Sequence, residues 1–237
     1  VGKNKLAKFA QMATFDNVIQ PPLDEVLNKD FPLKGKWNAE FFKNENPIVL
    51  ELGCGKGEYT VGLAQRYPDK NFIGVDIKGA RMWRGASLAI QNNIRNTGFL
   101  RTRIEHILSF FAPGEVSEIW VTFPDPQLKR ARAKKRLTSS VFLNRYKQFL
   151  KPGGLVHLKT DNTPLYEYTC QLCQHNGLEV KYSTSDLYNC GFPNEVLLGI
   201  KTHYETLFYA KGFSIKYLYF TLDGCDNLQE PPQTDEE

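Results

Sequence analysis

A short apolar run, Ile48 to Leu52, breaks at once into the glycine-spaced loop Gly53-Cys54-Gly55-Lys56-Gly57, and this junction constrains the chain more than any other feature. A turn this tight needs residues that accept positive φ and let a ligand approach the backbone, so the segment reads as strand, ligand-cradling loop, helix. The alternation then repeats. Asn71 to Asp76, Glu118 to Phe123 and Leu155 to Lys159 are further apolar runs, and Leu100 to Glu105 is a weaker one. Amphipathic stretches separate them, near Tyr59 to Tyr67, Arg81 to Arg95, Ser139 to Leu150 and Pro164 to Asn176. The pattern predicts an α/β domain built on a mostly parallel sheet with helices on both faces. After Gly177 come Glu179 to Thr184, a loop through Asn194, a helix turn over Tyr204 to Lys211 and an apolar Ser214 to Leu222. That order predicts a closing pair of strands at one edge of the sheet.

The 237 residues suit one full domain, with no Pro/Gly/Ser linker to divide it. Three segments are expected: a basic N-terminal arm or cap over 1–46, the main domain over 47–222 and an acidic, flexible tail over 223–237. No apolar run nears the roughly 18 residues of a membrane span, and Val1 to Phe9 is polar and basic, so the expectation is a cytoplasmic protein with no membrane partner. Five cysteines at irregular spacing make no disulfide framework. Cys170 and Cys173 have no second pair to complete a zinc site and read as small core thiols; no metal is expected. The formal charge is +4, yet Asp223 to Glu237 holds six acidic residues and no basic one, which leaves a body of about +10. Such a surplus suits a polyanionic partner.

The residues around the loop distinguish its ligands. A dinucleotide site carries a third glycine three residues after the second, where this chain has Glu58. Carboxylates at Glu51 and Glu58 disfavour a pyrophosphate and favour the sulfonium and amino group of S-adenosylmethionine. Asp76 ends the second strand, where a carboxylate can accept both ribose hydroxyls. Farther on, prolines fix the backbone on both sides of Asp125 at the end of another strand, and Lys129 to Arg136 carries six basic residues in eight. Taken alone, the first reads as a rigid turn and the second as a solvated face. Placed together beside a ligand loop, they suit phosphates that bring a nucleotide to the methyl donor.

These motifs together resemble the bacterial tRNA (guanine-N7)-methyltransferase family of class I methyltransferases. The resemblance runs from about Ile48 to Phe220, through Leu50 to Gly57, Phe72 to Asp76, Phe123-Pro124-Asp125-Pro126 with its basic run, Lys159-Thr160-Asp161 and Thr202-His203-Tyr204-Glu205. It implies a Rossmann-like, mostly parallel seven-stranded sheet with an antiparallel edge strand, S-adenosyl-L-methionine as cofactor and tRNA as partner, methylated on a variable-loop guanosine by a monomer or homodimer. By position it puts Glu51, Gly53, Gly55, Asp76 and Asp125 at the cofactor, with Glu105 and His106 at the turn that meets the adenine. It makes Asp125 catalytic, sets Lys129, Asp161, Thr202 and Glu205 at the guanosine, and gives RNA contacts to Arg130, Arg132, Lys134, Lys135 and Arg136. Two departures stand out: Gln127 where the family has Trp, and His106 where it has Asp. An NAD-dependent oxidoreductase, a noncatalytic RNA-binding module on the same fold, and a methyltransferase for another RNA base or a small molecule are the alternatives.

Overall fold

Strand β2 (Ile48–Leu52) is buried along its whole length. Ile48, Leu50 and Leu52 pack into the core on one face of the sheet and Val49 into a second core on the other, as expected of a central strand in a parallel sheet. The computed structural model describes residues 3–191 and 198–232, without the side chains of residues 3–5 and Arg130. The remaining strands are β1 (Val18–Ile19), β3 (Asn71–Asp76), β4 (Thr97–Arg101), β5 (Val116–Thr122), β6 (Leu150–Thr160), β7 (Val180–Thr184) and β8 (Lys216–Thr221). Their order across the sheet is β1-β4-β3-β2-β5-β6-β8-β7. Among the described residues, only β8 runs against the rest, paired antiparallel with β6 and β7.

This topology locates the site. From β2 the chain winds one way to β3 and β4, then returns to lay β5 and β6 on the other side of β2, so the order reverses between β2 and β5. The crevice outside the carboxyl ends of strands at such a switch is where open α/β sheets bind ligands. Helices α2 (Glu58–Arg66), α3 (Gly79–Gln91), α4 (Ser140–Tyr146) and α5 (Thr163–His175) make the crossovers. Because β8 is reversed, its first residue Lys216 pairs with Thr160 at the end of β6. The preceding helix α6 (His203–Ala210) is thereby delivered to the same carboxyl edge.

The expected parallel sheet, flanking helices and closing strand pair are all present. The sheet has eight strands where seven were expected, because Val18 and Ile19 of the N-terminal segment pair in parallel with Phe99 and Leu100. A two-residue strand is too short to leave a periodic signal. The antiparallel strand lies one place in from the edge, and β7 forms the edge itself. Ahead of β1, helix α1 (Lys3–Met12) packs on α3, with Lys8 over the Trp83 ring at 4.5 Å and the Trp83 indole N–H donating to Gln11 at 2.7 Å. Trp37 is fully buried and donates from its indole to the Phe110 carbonyl at 2.8 Å. At the other end, Leu228 is buried and Glu230 accepts from Ser140 and from the Tyr168 hydroxyl at 2.6 Å. Cys173 lies in the core and Cys170 beside it, both on α5. Residues 192–194 of the expected loop through Asn194 and residues 233–237 of the acidic tail fall outside the described residues. Among the described residues, no helix is long and apolar enough to cross a membrane.

Candidate active site

The carboxyl edge of the sheet holds a cavity of about 830 Å³. Its floor is the β2–α2 loop. Gly53, Gly55 and Gly57 all take positive φ, and the tightest of them is Gly57 at +70°. A Cβ there would stand 2.6 Å from the Phe99 ring and 3.2 Å from the Gly85 Cα. The close helix packing that a dinucleotide fold obtains from its third glycine is achieved here by Gly57 against Gly85, so position 58 is released for a carboxylate.

Glu51 lies under this loop, about 4% exposed. Its Oε2 accepts from the Thr60 N–H at 2.8 Å and the Thr60 hydroxyl at 2.5 Å, and its Oε1 from the Thr122 hydroxyl at 2.6 Å. Burial pushes its pKa up to about 7, against the pull of those three donors. Asp76, at the end of β3, accepts from the Gly55 N–H at 2.9 Å and the Lys78 N–H at 2.8 Å, which locks the two turns together. A buried carboxylate at the base of an open cavity, with a second carboxylate at its wall, is a surrounding suited to a cation. The positively charged sulfur and amino group of S-adenosylmethionine fit it. A ribose would lie toward Asp76, and the glycines leave room for a ligand against the backbone.

The opposite wall is Phe123-Pro124-Asp125-Pro126-Gln127. Phe123 and Gln127 both have φ of +47°, a left-handed conformation uncommon for side chains of this size, so a strained residue flanks the Pro-Asp-Pro turn on each side. Asp125 is exposed and its Oδ1 accepts from the Gln127 N–H at 3.1 Å. The third wall carries Asp161, Asn162, Thr202, His203, Tyr204 and Phe208. Burial raises the pKa of Asp161 above its ordinary value. Lys135 reaches the rim, as do Lys78 and Arg81 from the start of α3, two cations that no sequence motif marks.

Glu51, Gly53, Gly55, Asp76, Asp125, Asp161, Thr202 and Lys135 are therefore gathered around one space. Others are not. Glu105 and His106 sit on the short helical turn Ile104–Ser109 and do not line the cavity, which this turn meets through Ile104. Ile77 and Ile104 thus give the lining apolar side chains where the sequence suggests a polar contact. Lys129, Arg132 and Lys134 are exposed outside the cavity, and the Arg130 side chain lies outside the described residues. Arg136 is half-buried: its Nε donates to the Pro126 carbonyl at 3.2 Å and its guanidinium lies 4.2 Å over the Tyr168 ring. It ties the basic segment to the Pro-Asp-Pro turn, a role distinct from the RNA contact expected of it.

Glu205 does not join the residues gathered around the cavity: it is fully buried and is not among those that line it. Thr202-His203-Tyr204-Glu205 is a reciprocal cap on α6, in which the Thr202 hydroxyl accepts from the Glu205 N–H at 3.1 Å and Glu205 accepts from the Thr202 N–H at 3.3 Å. A threonine followed three residues later by glutamate is a helix-start signature, so the sequence does carry a signal here, and it marks a cap where a substrate contact was expected. Glu58 lines the cavity as expected, and its Oε2 also accepts from the His203 N–H at 2.8 Å and so joins the glycine-loop helix to α6. His157 is a packed residue remote from the cavity, stacked 4.0 Å from Trp120, with burial holding its pKa down to about 4. Thr60 and Thr122, which hold Glu51, carry no sequence motif that would have marked them.

The family profile described as "Putative methyltransferase" matches residues 45–218. A Bacteroides fragilis (strain YCH46) protein named tRNA (guanine-N(7)-)-methyltransferase is 55% identical over 231 residues, covering 98% of this chain and 90% of its own length. A protein of the same name from Bacillus subtilis (strain 168) is 33% identical over 197 residues, covering 83% and 90%. Among solved structures, a 16S rRNA methyltransferase, KamB, superposes with a TM-score of 0.58 at 18% identity, over 78% of this chain and 93% of that one. A likeness at that identity speaks to the fold.

Proposed function

The chain belongs to the tRNA (guanine-N(7)-)-methyltransferase family, and from that premise we propose that it methylates N7 of a guanine in tRNA, in the variable loop, with S-adenosylmethionine as donor. The observation that carries the reading is the convergence of Glu51, Asp76, Asp125 and Asp161 on one cavity whose rim bears Lys78, Arg81 and Lys135. With Glu58, five carboxylates line the cavity and suit a cationic donor and a base that becomes cationic, and the basic rim suits a phosphate backbone. The work belongs in the cytoplasm, where tRNA is at hand.

The donor, when bound, supplies a methyl group on a positively charged sulfur. Glu51 and Asp76 would hold that cation and its ribose, and Ile77 and Ile104 would offer apolar contact to the adenine. Guanine N7 already carries a lone pair, so no residue has to remove a proton. The chain must align N7 with the methyl carbon and stabilise the positive charge that moves onto the purine. Asp125 and Asp161 do both by accepting from the N1 and N2 edge of the base, so catalysis is positional and electrostatic. A guanine inside folded tRNA has to unstack to reach a cavity walled on three sides. The test is mass spectrometry of nucleosides from unmodified tRNA incubated with the protein and isotopically labelled donor. Label in 7-methylguanosine is expected; label in another nucleoside, or in none, overturns the reading.

A further inference from the structure

Behind the third wall lies an ion pair to which the methyl transfer described above gives no part. Lys159 and Glu205 are both fully buried, with Nζ 2.7 Å from Oε1. Burial lowers the Lys159 pKa, and the Glu205 carboxylate opposes that shift. The Tyr188 hydroxyl, from the loop after β7, donates to the same Oε1 at 2.5 Å. The Lys159 ammonium also lies 5.2 Å over the Tyr59 ring and donates to the Ile200 carbonyl at 3.5 Å. One ammonium thus binds the chain on both sides of Thr202, through Ile200 before it and Glu205 after it. The other Glu205 oxygen caps Thr202 from within. Helix α2 completes the clasp: Gly62 lets Ile200 approach to where a Cβ would meet it at 3.0 Å, and Glu58 accepts from His203.

A buried ion pair is a poor source of stability, because desolvating both charges offsets their attraction. Its value lies in fixing geometry. Lys159 sits two residues before Asp161 on β6, and Glu205 three residues after Thr202. The pair therefore sets the spacing of Asp161 and Thr202 within the third wall. We propose that Lys159, Glu205 and Tyr188 form a latch that positions Thr202 and Asp161 for methyl transfer, Glu205 acting through the helix cap and never touching the guanosine. The proposal rests on the N7-methyltransferase reading above. All three are positioning residues, and their removal slows the chemical step while leaving the donor site intact.

The experiment uses the full chain, an unmodified tRNA transcript and labelled S-adenosylmethionine, and reads the single-turnover rate, donor affinity, tRNA affinity and melting temperature. The double variant Lys159→Met with Glu205→Met replaces the pair by apolar side chains of similar length, a change that folds often tolerate. It is expected to bind donor and tRNA within about twofold of the wild type and to transfer methyl at least about tenfold more slowly. Tyr188→Phe removes one hydroxyl and is expected to slow transfer about threefold or more. Glu205→Gln keeps the cap acceptor and should recover part of the rate lost in Glu205→Met. A folded double variant with the wild-type rate overturns the latch. Should the double variant not fold, Tyr188→Phe decides, and an unchanged rate there overturns it equally. A slowed variant whose donor affinity falls in proportion also overturns it, since the clasp would then belong to the donor site. Wild-type protein that methylates no tRNA guanine overturns the functional reading instead.

Discussion

The two halves of the cavity are built differently. On the donor side, Glu51 has three hydrogen bonds from two threonines, Asp76 has two from backbone amides, and the loop between them touches α3 with no room for a methyl group. On the acceptor side, Asp125 is exposed and its carboxylate accepts from the Gln127 N–H, while Lys134 and Lys135 stand in solvent. A small donor of fixed shape rewards a site rigid before binding, since little ordering entropy remains to be lost. A folded RNA has to bring its own shape, so its side of the cavity is anchored from behind, by Arg136 on Pro126 and the Lys159–Glu205 pair, and left open in front.

If that contrast is real, the largest effect of a small substitution lies on the donor side. Gly57→Ala sets a Cβ against Phe99 at a φ of +70°. Strain and overpacking together should cost about 2–4 kcal/mol. A urea titration is expected to show a lowered midpoint, together with loss of donor binding in calorimetry. An unshifted midpoint would mean that the loop is loose and the contrast false.

What can be read from the sequence divides along the same line. The donor half is legible because its determinants are local: glycines beside a strand end, and an aspartate at the end of the next strand. Asp125 is legible for the same reason. Glu205 is legible only as a helix cap, from its spacing to Thr202, because its other partners, Lys159 on β6 and Tyr188 in the loop after β7, leave no local pattern that ties them to it. Glu105 and His106 are misplaced by counting from a strand expected to end at Glu105, whereas β4 ends at Arg101 and the turn presents Ile104. The eighth strand and helix α1 leave no trace in the pattern because the arm's burial is set by α3 and β4, to which no periodicity within 1–46 refers.

The next effect belongs to the acceptor side. Asp125→Ala should slow single-turnover methylation about ten- to hundredfold, the worth of hydrogen bonds to a charged group, with melting temperature and donor affinity unchanged because the residue is exposed. A drop in donor affinity as large as the drop in rate would assign Asp125 to the donor and redraw the boundary between the halves. Smaller again is the pH response of Glu51. Its pKa rises from 4.5 to about 7 on folding, so the stability tied to its protonated form is fully present below pH 4.5 and lost as pH climbs through 7. A bound cation favours the ionised form, so donor affinity should rise by up to about tenfold between roughly pH 6 and pH 8. Glu51→Gln should flatten that rise; a slope that persists in the variant belongs to another group.

The smallest effect per residue is expected in the basic segment, and it tests whether the open front of the acceptor side is a binding surface at all. Arg132, Lys134 and Lys135 lie on the short helical turn Arg130–Lys135, exposed, and only Lys135 lines the cavity. Such a concentration of like charge repels itself unless an anion or solvent relieves it. Arg136 differs, being committed to Pro126 and Tyr168, so it should stay in place while the other three are changed. Replacing Arg132, Lys134 and Lys135 by Gln should weaken tRNA binding and flatten its dependence on salt, the log-log slope falling by roughly 0.7 to 0.9 for each phosphate no longer neutralised. Donor affinity should not move, because Glu51 and Asp76 take their hydrogen bonds from Thr60, Thr122, Gly55 and Lys78. Arg136→Gln alone should do the reverse, leaving the slope nearly intact while slowing transfer, since it frees the Pro-Asp-Pro turn. Parallel salt titrations for wild type and triple variant would make the three cations a solvated face and move the tRNA surface to Lys78, Arg81 and helix α1. If the slope falls but tRNA and a random RNA of equal length lose affinity alike, the segment contributes attraction without selection. Choice of the guanosine then rests with the wall that the Lys159–Glu205 latch holds in place.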